Sequence, residues 1–291
     1  MKLPLRSFRL KNFKAIQDSG MVRFTPLTVL IGNNGSGKSS LIEGLETLWN
    51  FVTRDLNHAL GQWHGFEHIR NKTQGKPRKG RNADLSTKAI EFSLQGHADG
   101  FSMATDNTRC AEDESGYGGR GTGRPFARRS LTPYASTTRL NILSGGSAVC
   151  VESELLTASR KFRVTRDLDG RVLGSEKWKA RHNESILSRY TGEHFGTWQF
   201  LSLAVQQMGE PVPQTRTRGA IRLAKDGRNI AEYLLDIFQK DRNAFDSIVE
   251  TMRWVLPYSR GLQADITSEL ERSVYLQMSE GEFKVPGWLL S

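Results

Sequence analysis

The sequence predicts an α/β fold that opens on a strand, a glycine-rich loop and a helix. Three neighbouring stretches predict it. Leu27-Thr28-Val29-Leu30-Ile31 is apolar at every position except Thr28, the pattern of a short strand buried on both faces. Residues 32–39 follow and carry Gly32, Gly35 and Gly37. Leu41, Leu45, Leu48 and Val52 then recur at spacings of four, three and four, with Ile42 and Trp49 widening the stripe. That is the period of an amphipathic helix.

The loop reads Gly32-Asn33-Asn34-Gly35-Ser36-Gly37-Lys38-Ser39. It meets the spacing G-x-x-x-x-G-K-[ST], and each residue has a physical task. The glycines let the backbone turn tightly, so that successive N–H groups point inward around phosphate oxygens. Lys38 sets an ammonium against the β- and γ-phosphates, and the Ser39 hydroxyl is a ligand for Mg2+. The helix that starts here adds its partial positive charge. The expected cofactors are therefore ATP or a close relative, with Mg2+. The candidate binding residues are Asn34, Gly35, Ser36, Gly37, Lys38, Ser39 and Ser40. A GTPase would need NKxD to read its base, but Asn71-Lys72-Thr73-Gln74 has glutamine in the last place. Asp167-Leu168-Asp169-Gly170 fits the switch pattern DxxG, yet its context is a hairpin turn.

With 291 residues there is room for one large domain or two small ones. The hydrophobic fraction of 37% and charged fraction of 25% describe a soluble protein. No apolar run approaches the roughly 20 residues of a membrane span. Residues 1–14 alternate basic and apolar types and lack a secretion signal. The expected location is the cytoplasm, with no membrane partner. Cys110 and Cys150 are far apart and outside any CxxC pair, which argues for plain thiols over zinc or a disulfide. The net charge of +10 attracts polyanions such as nucleic acid. The same charges could instead serve the nucleotide's phosphates or sit on solvated loops.

Further strands are expected at residues 5–10, 21–24, 89–94, 148–156 and 161–166, with turn formers over 12–19. Residues 70–82 are basic and rich in turn formers, and 106–130 are rich in glycine and charge; both read as loops. Asn229 with Glu232 suggests a capping box for a helix bearing Ile230, Tyr233, Leu234, Ile237 and Phe238. A second helix carries Phe245, Ile248, Val249, Met252, Val255 and Leu256, and Pro257 ends it. Residues 262–266 and 273–278 read as a strand pair. The expected domains are a phosphate-loop lobe over 1–60, a β-rich region over 61–195, and a helical and small-sheet part over 196–291.

Ser7-Phe8-Arg9-Leu10-Lys11-Asn12-Phe13-Lys14-Ala15-Ile16, then Pro26-Leu27-Thr28-Val29-Leu30-Ile31-Gly32, the loop, and Leu41-Ile42-Glu43-Gly44-Leu45 together resemble the opening of the RecF/SMC-like ATPases. These are ABC-type AAA ATPases that include the OLD nuclease group. Lys225-Asp226-Gly227-Arg228-Asn229-Ile230-Ala231-Glu232-Tyr233-Leu234 is similar to a later element of the same group. The resemblance covers both ends of the chain and leaves the middle unmatched. It implies a P-loop NTPase fold like an ABC/SMC head, ATP hydrolysis by paired heads, and a role in DNA repair or phage defence. It also implies that Asn12, Phe13 and Lys14 form a turn over the nucleotide. There Lys14 approaches phosphates or base, or stays a turn lysine in solvent.

Such heads need a Walker B strand, about four apolar residues followed by Asp-Glu. The chain has none. Tyr233-Leu234-Leu235-Asp236 comes nearest but sits in a helical pattern, and Leu143-Ser144-Gly145-Gly146 reads as a glycine turn. No catalytic residue is therefore assigned. Trp288-Leu289-Leu290-Ser291 resembles the stretch before the signature motif. The expectation is the front part of a head, with an incomplete sheet, an unpaired apolar edge, a mixed β-rich lobe and a C-terminal helical pair. Three readings stay open: a DNA-linked ATPase head acting as a homodimer or with a nuclease or other partner; an ATP-binding module without turnover of its own; and a nucleic-acid-binding protein with a structural nucleotide site.

Overall fold

The computed structural model describes residues 3–73, 89–98, 132–142, 148–158, 162–174, 178–215, 219, 221–268 and 270–289. The chain divides into two units, Met1–Trp198 and Gln199–Ser291.

The first unit begins with strands β1 (Ser7–Phe13), β2 (Ile16–Asp18) and β3 (Val22–Arg23). Helices α1 (Lys38–Thr53), α2 (Leu56–Gly61) and α3 (Phe66–Ile69) come next. Then follow β4 (Ile90–Ala98), β5 (Thr132–Ile142), β6 (Val149–Ala158), β7 (Phe162–Arg166), β8 (Arg171–Leu173), β9 (Trp178–Lys179) and α4 (Ile186–Gly196). The nine strands form one antiparallel sheet in the order β2-β1-β4-β5-β6-β7-β8-β9, with β3 also on β1. Because β1 pairs with β4, the expected segments 1–60 and 61–195 share this sheet.

Period-two burial explains its register. Phe8 faces Leu94, and Leu10 faces Phe92; all four are buried. The second row continues through Thr138, Glu154 and Arg166. It starts apolar and ends in a buried ion pair, Arg166 Nη1 to Glu154 Oε2 at 3.3 Å. Burial pushes the Glu154 carboxyl up, while the Ser185 hydroxyl, the Ile186 amide and the Arg166 guanidinium pull against that shift. Ser185 Oγ donates to Oε1 at 2.6 Å and Ile186 N to Oε2 at 2.9 Å, at the start of α4. A carboxylate there also meets the positive helix end. Arg166 is held further by the carbonyls of Arg181 and Glu184. Trp49 of α1 donates its indole N–H to Phe195 O of α4 at 2.7 Å, joining the two helices.

One strand expectation fails. Residues 27–31 join no sheet, and no backbone–backbone hydrogen bond involves them among the described residues. Leu27, Val29 and Ile31 are 81%, 69% and 90% exposed. Helix α1 packs on β1 instead, and the expected core strand behind the loop is absent from the sheet. An isolated strand leaves its amides unpaired, and apolar composition alone cannot supply neighbours.

The second unit contains α5 (Val205–Met208), β10 (Val212–Pro213), α6 (Ile230–Lys240), α7 (Arg242–Val255), β11 (Ser259–Ile266), β12 (Ser273–Glu280) and β13 (Phe283–Pro286). Its antiparallel sheet runs β10-β12-β11, with β13 also on β12. Leu262, Ala264 and Ile266 face Met278, Leu276 and Val274, an apolar surface on the sheet that α6 and α7 contact. The expected helical pair is present, but the capping box is not. Asn229 makes no side-chain cap; its Oδ1 accepts from Ala224 N at 2.7 Å and its Nδ2 donates to Arg222 O at 2.9 Å. Glu232 instead accepts from the amide and hydroxyl of Thr215. A nearby loop outcompeted the helix end for both side chains.

Cys150 is buried in β6, and burial raises its thiol above the usual range. Cys110, residues 74–82, residues 106–130 and Leu143 to Gly146 lie outside the described residues. No helix is long and apolar enough to cross a membrane among the described residues.

Candidate phosphate-binding site

Helix α1 begins at Lys38, directly out of the glycine loop. Its N-cap is Gly37 at φ +88°. A Cβ there would be strained by that backbone and would stand 3.1 Å from Ile16 Cγ1, so β2 packs against the mouth of the loop. Gly35 also turns at positive φ, +82°. The first bond into the helix is Leu41 N to Gly37 O at 2.9 Å. The amides of Lys38, Ser39 and Ser40 precede it and have no carbonyl to meet inside the helix.

Asn34, Gly35, Ser36 and Ser39 are exposed, Lys38 is half-buried and Ser40 is buried. The Lys38 ammonium folds back over the loop. It donates to Gly32 O at 2.7 Å, Asn33 O at 2.7 Å and Ser36 Oγ at 3.2 Å. An ammonium has three donors, so the loop's own oxygens occupy all of them. Ser36 N donates to Asn33 O at 3.2 Å, closing the turn.

The turn after β1 stands beside this mouth. Asn12 and Lys14 adopt φ +56° and +45°, conformations that cost free energy for residues with a Cβ. The α3 region holds them there. Lys14 N donates to Ile69 O at 2.6 Å and Asn71 N to Asn12 O at 2.9 Å. Asn71 Nδ2 donates to Lys14 O at 2.6 Å, and Asn12 Nδ2 to Ala89 O at 2.8 Å. Asn12 therefore acts on the backbone. The Lys14 ammonium lies 2.8 Å from Glu43 Oε2 of α1 and 3.6 Å from the centre of the Trp63 ring. Trp63 Nε1 in turn donates to Thr47 Oγ1 at 2.8 Å.

Sequence reasoning overlooked Glu43, Trp63 and Asn71. Glu43 carried a readable signal, an acid five residues past Lys38 on the same helix. Asn71 carried none, because 57 residues separate it from Lys14. Asp236, the nearest approach to a Walker B acid, lies on α6 and pairs with Lys240 at 2.6 Å. Asp167 to Gly170 form the turn between β7 and β8.

With a glycine-backed turn, a helix start and a lysine gathered at one place, the comparisons with known proteins bear on the same residues. Residues 1–94 match the family model of the AAA ATPase domain. The match supports an AAA-type ATPase family and ATP as the nucleotide. It covers 94 of 291 residues, running from before β1 through the loop and α1 into β4. Together with the helices and antiparallel sheets, it fits a P-loop NTPase-like fold. No curated protein matches the chain.

Proposed function

We propose that the chain binds Mg-ATP at residues 32–40 as part of a RecF/SMC-like, ABC-type ATPase head, pairing with a second copy or a partner chain. The loop geometry supports the Mg-ATP part of this reading, and the family resemblance the rest. Positive-φ glycines deliver free amides at the start of a 16-residue helix, and Lys38 already sits over the loop's oxygens. Oxygens are what an incoming phosphate would present in their place. The exposed Ser39 hydroxyl would hold Mg2+, which supplies charge neutralisation of the phosphates when bound. Hydrolysis would need acidic residues beyond those beside the loop.

Calorimetric titration with Mg-ATP tests the reading. Lys38→Ala should weaken binding by roughly 10- to 100-fold, the worth of lost hydrogen bonds to a charged group. Equal affinity of parent and variant would refute the site.

The net charge of +10 favours an added contact with DNA, in keeping with the role in DNA repair or phage defence that the family resemblance implies. Binding of duplex DNA that weakens steeply between 50 and 200 mM salt is the expected result; salt-independent binding would count against it. The reading as an ATP-binding module without turnover of its own predicts no phosphate release from the purified chain.

A further inference from the structure

We infer that Lys14 serves the nucleotide site as the counter-ion of Glu43, and that its ammonium is not itself a phosphate ligand. The inference deepens the proposed function and rests on it. Glu43 lies five residues past Lys38 on α1, about 7.5 Å along the axis. Side chains on a helix lean toward its N-terminus, so the carboxylate points back toward the end that receives the phosphates. Left alone, it would repel a polyphosphate and oppose the positive helix end.

Lys14 removes that charge. Its ammonium sits 2.8 Å from Glu43 Oε2 and 3.6 Å over the Trp63 ring, a cation–π contact that fixes the side chain on a second side. The backbone beneath is anchored on both faces of the residue, through Ile69 O and Asn71 Nδ2. Trp63 is itself fixed through Thr47, whose hydroxyl donates to Glu43 O at 2.7 Å. A strained turn, an aromatic wall and an acid thus converge on one lysine. Each holds the ammonium against the helix rather than over the loop. Glu43, Trp63 and Asn71 are positioning residues in this arrangement.

A double-mutant cycle on the full chain tests it. Lys14→Met keeps the stem and the backbone conformation, and Glu43→Gln keeps the shape of the acid. The readout is the Kd for Mg-ATP at low and high salt. Lys14→Met should weaken binding roughly tenfold at low salt, as expected for one uncompensated charge at this distance. The loss should shrink measurably, to about three- to fivefold in 0.5 M salt, because the Glu43 carboxylate is only half-buried, 31% exposed, and salt still screens it in part. Adding Glu43→Gln to Lys14→Met should restore affinity to within about twofold of the parent. Glu43→Gln alone should bind a few-fold more tightly. A double variant as weak as Lys14→Met would overturn the inference and make Lys14 a direct ligand. A salt-independent loss would also overturn it, by pointing to altered packing. If the parent fails to bind Mg-ATP, or Lys38→Ala binds as the parent does, the nucleotide reading falls and this inference falls with it. If Lys38→Ala loses binding while the cycle shows no restoration, only the counter-ion role is lost.

Discussion

The two segments that flank the glycine loop began with equal claims to the core and ended in opposite environments. Residues 27–31 are apolar on four of five positions, yet Leu27, Val29 and Ile31 face outward. Helix α1 is less apolar, yet Leu41, Leu45, Leu48, Phe51 and Val52 are buried. A helix satisfies its own backbone and needs only one surface to cover its stripe. A strand satisfies nothing alone, since its amides and both its faces require neighbours. The comparison teaches that apolar composition predicts burial only for an element that can complete its own hydrogen bonds.

The largest expected effect lies on the helix side. Leu48, 1% exposed, should cost about 2–5 kcal/mol on replacement by alanine, read by denaturant unfolding of the chain. A loss below about 1 kcal/mol would break the contrast. Next comes Gly44, in the middle of α1. Alanine there should add about 1 kcal/mol of helix propensity, but its Cβ would stand 2.3 Å from Leu10 Cδ2. Since Leu10 is wholly buried in β1, overpacking of about 1–3 kcal/mol should win, and Gly44→Ala should lower the unfolding midpoint. A raised midpoint would mean that β1 and α1 can separate at little cost.

On the other side of the loop, Ile31→Thr should change stability by no more than about 0.5 kcal/mol. It should also reduce self-association by light scattering, because an exposed apolar run invites aggregation. A large stability loss would show that residues 27–31 are covered in solution. The smallest effect concerns the outer edge of β1. The Arg9 guanidinium, donating to Asp18 Oδ1 at 2.9 Å, and the Gly20 amide hold the Asp18 carboxyl down at about 2. A folded value below the unfolded one means that the pair stabilises above the ordinary carboxylate range of about 4. That contribution is lost as pH falls toward 2. Asp18→Asn should therefore flatten the acid limb of the stability curve slightly, and only slightly, because the pair is exposed and screened. An unchanged acid limb would remove Arg9 from the account.

The local geometry of the candidate site was legible before any fold was known. The spacing of Gly32, Gly37, Lys38 and Ser39 and the stripe after it are local, and local geometry follows from which backbone angles and periods those residues allow. Helices α6 and α7 and strands β11 and β12 were legible for the same reason. What was hidden joins distant residues. The Asn12–Lys14 turn is held by Asn71, and Lys14 meets Glu43 and Trp63. Asn229 and Glu232, which read as a helix cap, serve the backbones of residues 215, 222 and 224 instead.

The sequence by itself determined the glycine loop, the helix that leaves it, and the apolar faces of the two later helices. Each of these is set by short-range sterics and by a helix's self-contained hydrogen bonds. Only the tertiary structure decided which strands make the sheet, that residues 27–31 stand outside it, and that Lys14 is turned toward an acid on α1. Those outcomes depend on partners far along the chain, and pairwise contact between distant residues leaves no trace in a local pattern.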